Sequence, residues 1–241
     1  MSWHAYGSGD PVVLVVPGLA ATPGEARIPA SGLAGTRVVM TLPGHGDEPD
    51  APPGYWDYGT IARDVLRAAD EVRATCAIGV SLGAGALTRV VAESPDRFER
   101  LALLLPAALD EPRPTDVQDE LRKLTTKDVD RLREYVAAPL PTGYALGDYV
   151  EARAKALTRL TAAIELLAGT FPVEDRRVLA DVDVPVLVIG AVGDTLHPAD
   201  VARATAKAFP HGVLELFDSP APLITHRAQV RSLLQGFFRR D

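Results

Sequence analysis

The stretch that decides the fold is residues 76–84, which read Cys-Ala-Ile-Gly-Val-Ser-Leu-Gly-Ala. The apolar run ends at a Gly-x-Ser-x-Gly pentad, Gly79 to Gly83, and a sequence compatible with a helix follows directly. A strand, a sharp turn and a helix in this order form a nucleophile elbow, which presents a serine hydroxyl above the edge of a sheet. Glycine is needed two positions to either side because larger side chains would collide with the turn. The pattern makes Ser81 the candidate nucleophile.

Apolar runs of strand length alternate with helical patterns along most of the chain. Predicted strands cover residues 12–16, 37–41, 76–80, 101–105, 184–189 and 213–217, and predicted helices cover residues 61–72, 82–93, 199–209 and 227–238. Runs nearly continuous in Val, Leu and Ile suit a sheet that is covered on both faces, which is typical of parallel strands. The alternation therefore predicts an α/β fold with a mostly parallel central sheet flanked by helices.

Residues 110–181 interrupt this alternation. They contain no convincing strand, whereas residues 117–136 and 146–167 have helical periodicity and many charged side chains. We predict a helical cap or lid over residues 110–181, inserted into a core formed by residues 1–109 and 182–241. A peripheral helical hairpin is the alternative interpretation of the same segment.

The composition limits the classes of partner. The chain has 241 residues, 47% of them hydrophobic, and a net charge of −7 without a basic cluster, which disfavours nucleic acids and anionic membrane surfaces. The longest apolar runs are shorter than the roughly 18 residues that a membrane helix needs. The N-terminal sequence has no signal-peptide pattern, so a cytoplasmic protein is expected. The single cysteine, Cys76, lies in an apolar run and is predicted to be a buried strand residue.

Over nearly its whole length the chain resembles the α/β-hydrolase superfamily. The matching segments are Val13 to Leu19, Leu42 to Gly46, Gly79 to Gly83, and Val184 to Gly190 followed by Gly193-Asp194. The helical insertion lies where members of that family have a cap. The resemblance implies an α/β-hydrolase fold with its site at the carboxyl ends of the strands.

The resemblance also implies roles for particular residues. Ser81 would be the nucleophile, and the backbone N–H groups of Leu19 and Leu82 would bind the oxyanion. Asp194 is the best candidate for the acid that orients the base, with Asp110 as the second choice because some members take their acid from that strand. The chain departs from the family at Pro17, where a histidine is usual; because the oxyanion donors are backbone groups, this does not by itself remove the hole.

The histidine that would serve as base is not at the position where the family usually has it. Family members usually carry a histidine shortly after the last strand, but this chain reads Ser219-Pro220-Ala221-Pro222 there. His197 lies three residues after Asp194, in an Asp-x-x-His-Pro arrangement, and is our first candidate for the base. His226, at the start of the final helix, is the alternative. His45, in the Leu-Pro-Gly-His-Gly segment, is expected to have a structural role.

These observations lead to two functional hypotheses. The first is a serine hydrolase, a carboxylic-ester hydrolase that cleaves an ester, thioester or lactone of a small, largely apolar molecule through an acyl-enzyme on Ser81. No metal or organic cofactor is implied, and the expected partner is a small-molecule substrate. The second is a non-hydrolytic protein of the same fold that binds a ligand or catalyses a rearrangement, lyase or cyclase reaction.

Arg153, Lys155 and Arg159 are interpreted as a solvated helix face.

Overall fold

A seven-stranded sheet forms the centre of the protein. The computed structural model describes residues 1–140 and 147–239. The strand order is β1-β3-β2-β4-β5-β6-β7, and every pair is parallel except β1 with β3. The strands are Ser2–Tyr6 (β1), Val12–Val16 (β2), Thr36–Thr41 (β3), Cys76–Val80 (β4), Arg100–Leu104 (β5), Val186–Ala191 (β6) and Gly212–Phe217 (β7). The mostly parallel sheet confirms the predicted fold class.

The structure differs from the predicted strands mainly at β1 and β6, whereas the bounds of β3, β5 and β7 differ by one residue. β1 was not predicted, because its sequence, Ser-Trp-His-Ala-Tyr, has no apolar run and lies half exposed at the antiparallel edge of the sheet. β6 begins two residues later than predicted and extends to Ala191, with all six of its residues buried. Pro185, just before it, has no N–H to donate to a ladder, although its carbonyl accepts a bond from Leu101 N at 3.1 Å.

Helices cover both faces of the sheet. They are Pro23–Ala26 (α1), Tyr58–Glu71 (α2), Leu82–Glu93 (α3), Thr115–Lys123 (α4), Val129–Ala137 (α5), Tyr149–Arg159 (α6), Thr161–Ala168 (α7), Ala199–Ala208 (α8), Pro222–Thr225 (α9) and Arg227–Phe238 (α10), with a 3-10 helix at Arg176–Asp181. On α10 the buried residues are Val230, Leu234 and Phe238, the apolar stripe that packs against the sheet. None of the helices in the described ranges has the length and apolarity needed to cross a membrane.

The described residues between β5 and β6 form four helices, α4 to α7, where two long helical stretches were predicted. Asp128 breaks the first stretch because its side chain accepts bonds from the N–H groups of Asp130 and Arg131 and so starts a new helix. The second stretch divides at Leu160, where α6 ends and α7 begins. Leu146, the predicted start of that stretch, lies outside the described residues. The division of the chain into core and cap domains stays a prediction.

Candidate active site

Ser81 occupies a strained turn at the carboxyl end of β4. Its φ and ψ are 52° and −108°, a region that non-glycine residues rarely adopt and that costs about 1–3 kcal/mol. Two backbone bonds hold this conformation: Ser81 N donates to Leu104 O at 2.9 Å, and Gly85 N donates to Ser81 O at 3.1 Å. The chain folds this way only because of the flanking glycines. A Cβ on Gly79 would collide with the backbone of Gly83, and one on Gly83 would collide with Val16 O.

Asp194 and His197 lie in a single loop between β6 and α8. Asp194 Oδ1 accepts hydrogen bonds from the backbone N–H of Leu196 at 2.9 Å and of His197 at 3.1 Å. Such a turn is built by the aspartate side chain itself, which replaces the backbone acceptor that a helix or strand would supply. The loop therefore presents its acid and its imidazole together, three residues apart.

The side chains of Ser81, His197 and Asp194 form one hydrogen-bonded chain. The distance from Ser81 Oγ to His197 Nε2 is 2.8 Å, and that from His197 Nδ1 to Asp194 Oδ2 is also 2.8 Å. An ionised carboxylate only accepts, so Nδ1 carries the proton and Nε2 accepts from the serine hydroxyl. This places the imidazole in the tautomer that a general base requires.

The charge state of Asp194 follows from its neighbours. Burial alone would raise its pKa, but the charge interaction and hydrogen bond with His197, together with the two backbone N–H bonds, lower the pKa of Asp194 below its ordinary value. The carboxylate is therefore ionised at neutral pH. An ionised Asp194 would stabilise an imidazolium if His197 served as a general base.

The strand order explains why a loop after β6 reaches Ser81. Only β5 separates β4 from β6, and neighbouring strands lie about 4.8 Å apart. Parallel strands end at the same edge of the sheet, so the loop has to cross one strand to meet the elbow. Leu105, the residue after β5, has a φ of 51° and turns the chain away at this point.

The other sequence candidates for acid and base lie elsewhere. His226 contacts Thr225, with 2.9 Å between Nδ1 and Oγ1, and packs on Phe217 with ring centroids 5.2 Å apart. Asp110 forms an ion pair with Arg176, whose Nε lies 2.6 Å from Asp110 Oδ2. Neither side chain takes part in the hydrogen-bonded chain that ends at Ser81.

Two backbone N–H groups near Ser81 are available as donors. Leu82 is the first residue of α3, and the N–H groups of a first helical turn have no partner within the helix. Leu19 N has no acceptor among the described residues. The turn that carries it lies against the elbow, since a Cβ on Gly18 would be 3.4 Å from Ser81 Cβ. The two amides that the resemblance assigns to the oxyanion thus flank the serine.

A cavity of about 950 Å³ opens beside His197, between the inserted helices and the sheet edge. The core contributes residues from the α1 segment, the Asp194 loop and the segment after β7. The insertion contributes mainly apolar side chains from α4, α5 and α6. The apolar residues that line the cavity include Ile28, Leu105, Leu124, Tyr135, Val136, Ala152, Leu157, Leu223 and Ile224.

Arg153 differs from its predicted place on a solvated helix face. It lines the cavity, and Nη1 forms an ion pair with Glu25 at 2.6 Å; the side chains are only 25% and 23% exposed. Lys155 and Arg159 do lie on the exposed side, where they pair with Glu151 and Asp50. Arg153 therefore links α6 of the insertion to α1 of the core.

Tyr135 brings a phenol group to the cavity wall. Burial, followed by the nearby charge of Glu120, raises the pKa of Tyr135 to about 12, so the phenol keeps its proton at neutral pH.

Within the described ranges no cluster of three or more His, Cys, Asp or Glu side chains is placed to hold a metal ion.

Comparison with solved structures shows the same architecture in several bacterial proteins. An esterase from Exiguobacterium antarcticum superposes with a TM-score of 0.84 at 19% identity, covering 99% of this chain and 95% of that one. A hydrolase from Oleispira antarctica superposes with a TM-score of 0.79 at 19% identity, covering 99% of this chain and 94% of that one. A meta-cleavage product hydrolase from Pseudomonas fluorescens superposes with a TM-score of 0.80 at 16% identity, covering 98% of this chain and 93% of that one. At these identities the likeness shows a shared fold.

Sequence comparison identifies the family. No curated protein matches the chain at a significant level. The family described as "Alpha/beta hydrolase family" matches residues 12–232, which include every strand after β1 and each residue of the hydrogen-bonded chain that ends at Ser81. The protein belongs to the alpha/beta hydrolase family.

Proposed function

We propose that this protein is a serine hydrolase that cleaves an ester, thioester or lactone of a small, largely apolar molecule. The observation that carries the proposal is the pair of 2.8 Å contacts joining Ser81 Oγ, His197 and Asp194. Nucleophile, base and orienting acid within hydrogen-bond reach are the arrangement that activates a serine. In this proposal His197, rather than a histidine after the last strand, is the base.

The proposed reaction has two halves. Ser81 Oγ attacks the carbonyl carbon while His197 Nε2 takes its proton, and the N–H groups of Leu19 and Leu82 bind the developing oxyanion. The tetrahedral intermediate collapses, the bond to the leaving group breaks, and the leaving oxygen or sulfur takes the proton from Nε2. Water then attacks the acyl-enzyme with His197 again as base, which releases the carboxylic acid and returns the proton to Ser81.

Covalent labelling tests whether Ser81 is activated. A fluorophosphonate probe is expected to modify the native protein at Ser81, located by mass spectrometry of the peptide, because phosphonylation needs the same base and oxyanion donors as acylation. Heat-unfolded protein, in which Ser81 and His197 are separated, is the control and should not react. Labelling at other serines only, or equal labelling of native and unfolded protein, would favour the non-hydrolytic alternative.

We also propose that the inserted helices form the cap that bounds the acyl pocket. The cavity lies between these helices and the core, and His197 is on its wall. Its lining is mainly apolar, so an acyl chain entering it loses contact with water, which favours binding by roughly 0.8 kcal/mol for each buried CH₂ group. The expected substrate is therefore a medium-chain or ring-containing acyl group rather than acetate.

Filling the cavity from the cap tests this assignment. Ala152→Phe places a bulky ring on the cavity wall at α6 and is expected to lower kcat/KM for p-nitrophenyl octanoate about 10-fold or more, while acetate hydrolysis changes less than about threefold. Ala152→Ser, which keeps the small side chain, is the matched control. An equal loss for both esters, or no loss for octanoate, would place the acyl pocket elsewhere.

A further inference from the structure

The turn after β2 carries the Leu19 amide in a conformation that needs support. Ala20, the next residue, has a φ of 60° although it is not glycine. A left-handed alanine costs about 1 kcal/mol or more, so the turn keeps this shape only where outside contacts hold it. Within the turn, Ala21 N donates to Gly18 O at 3.2 Å. The direction of the Leu19 N–H depends on how firmly the adjoining peptide group is held.

His45 supplies that support from the neighbouring loop. Its Nε2 accepts a hydrogen bond from Ala20 N at 2.8 Å, and its Nδ1 donates to Pro43 O at 2.9 Å. The imidazole is only 2% exposed, so water does not compete for either bond. The bond from Ala20 fixes the peptide group between Leu19 and Ala20. Two rotatable bonds of Leu19 separate that group from the N–H that is assigned to the oxyanion.

The same peptide group is approached from the opposite side by the cap. Arg153 Nη2 lies 3.5 Å from Leu19 O, at the outer limit of a hydrogen bond. In a trans peptide the N–H and C=O point in opposite directions. His45 therefore binds the N–H of this peptide group, and Arg153 lies near its carbonyl oxygen.

We propose that His45 is a positioning residue for the oxyanion hole: it aligns the Leu19 amide by holding the peptide bond that follows it. The inference rests on the proposed hydrolase function and deepens it, because His45 touches neither Ser81 nor the reacting atoms. The bond requires neutral imidazole, since only an unprotonated Nε2 accepts. Burial lowers the pKa of His45; the Pro43 bond opposes this, and the charges of Arg153 and Arg159 lower it further. The neutral form therefore predominates at pH 7.

A pair of amide substitutions separates this role from simple packing. In His45→Gln the side-chain oxygen reaches the place of Nε2 and still accepts from Ala20 N, whereas in His45→Asn the shorter amide reaches only the place of Nδ1. We expect His45→Asn to lower kcat for p-nitrophenyl ester hydrolysis roughly 10- to 100-fold with KM within about twofold, because a misaligned oxyanion donor weakens transition-state binding only. His45→Gln should retain most of the activity, within about threefold of wild type.

Two further measurements keep the test decisive. His45→Leu keeps the side-chain volume and also removes the acceptor, so it should behave like His45→Asn if that variant folds poorly. The Ki of an aryl trifluoromethyl ketone, which forms a tetrahedral oxyanion on the serine, should rise by the same factor as kcat falls. Equal activity in all variants, an equal loss in the Gln and Asn variants, or a change confined to KM would overturn the positioning role. Wild-type protein without ester turnover would remove the proposed function and this inference together.

Discussion

Replacing Ser81 with alanine is expected to lower kcat for ester hydrolysis by roughly 10⁴- to 10⁶-fold. The reason is that no acyl-enzyme forms without the hydroxyl, and the remaining rate comes only from water held near His197 and the oxyanion donors. KM should change little, since the cavity that we propose binds the acyl group is untouched. The fold should persist, because alanine accepts the backbone conformation of Ser81 as well as serine does.

Steady-state kinetics with p-nitrophenyl esters measure the loss, and thermal unfolding verifies that the variant is folded. Ser94→Ala is the matched control, since Ser94 ends the same helix that begins at the elbow. It should leave kcat within about twofold of wild type, as is usual for a serine outside the site. Turnover of the Ser81 variant at the wild-type rate would exclude Ser81 as nucleophile.

His197→Ala is expected to cause a loss of similar size, about 10⁴-fold or more in kcat, while His226→Ala changes kcat less than about threefold. In the proposed mechanism His197 Nε2 takes the proton of Ser81, whose Oγ lies 2.8 Å away. His226 instead contacts Thr225 and Phe217. A serine hydroxyl without its base is a weak nucleophile at neutral pH, so phosphonate labelling of Ser81 should disappear together with turnover.

The two histidine variants control for each other, since each removes one imidazole from a partly buried site. Rates and labelling are to be compared at equal concentrations of folded protein, established by circular dichroism. A large loss in the His226 variant with activity retained in the His197 variant would reverse the assignment. Loss in both would indicate that the segment after β7 also supports the site.

The fold was largely predictable because its strands are continuous apolar runs. Runs such as those of β2, β4 and β5 have few alternatives to a buried parallel strand, and β4 leads directly into the glycine-flanked serine. β1 was missed for the opposite physical reason: an edge strand half exposed to water needs no apolar run. The insertion was recognised as helical, but its division into four helices depends on a side-chain cap at Asp128 and on packing at Leu160, which periodicity does not show.

The candidate residues of the site were predictable from the sequence, but the distances between their side chains were not. The pentad identified Ser81 as the candidate nucleophile, and the chain pattern placed Asp194 in a loop after a buried strand. The choice between His197 and His226 depends on which ring reaches the serine hydroxyl, and that follows from the strand order rather than from spacing along the chain. The bond from Ala20 to His45 joins residues 25 positions apart and has no signature in sequence.

In the proposed mechanism the short loop between β6 and α8 supplies both the orienting acid, Asp194, and the base, His197. Because Asp194 and His197 lie in one loop, the hydrogen bonds that align the two side chains with each other involve no residue of the segment after β7. The segment after β7 contributes Pro220, Ala221, Leu223 and Ile224 to the cavity wall. We therefore expect that substitutions in this part of the wall can change the preference for an acyl group without disturbing the hydrogen bonds that join Ser81, His197 and Asp194.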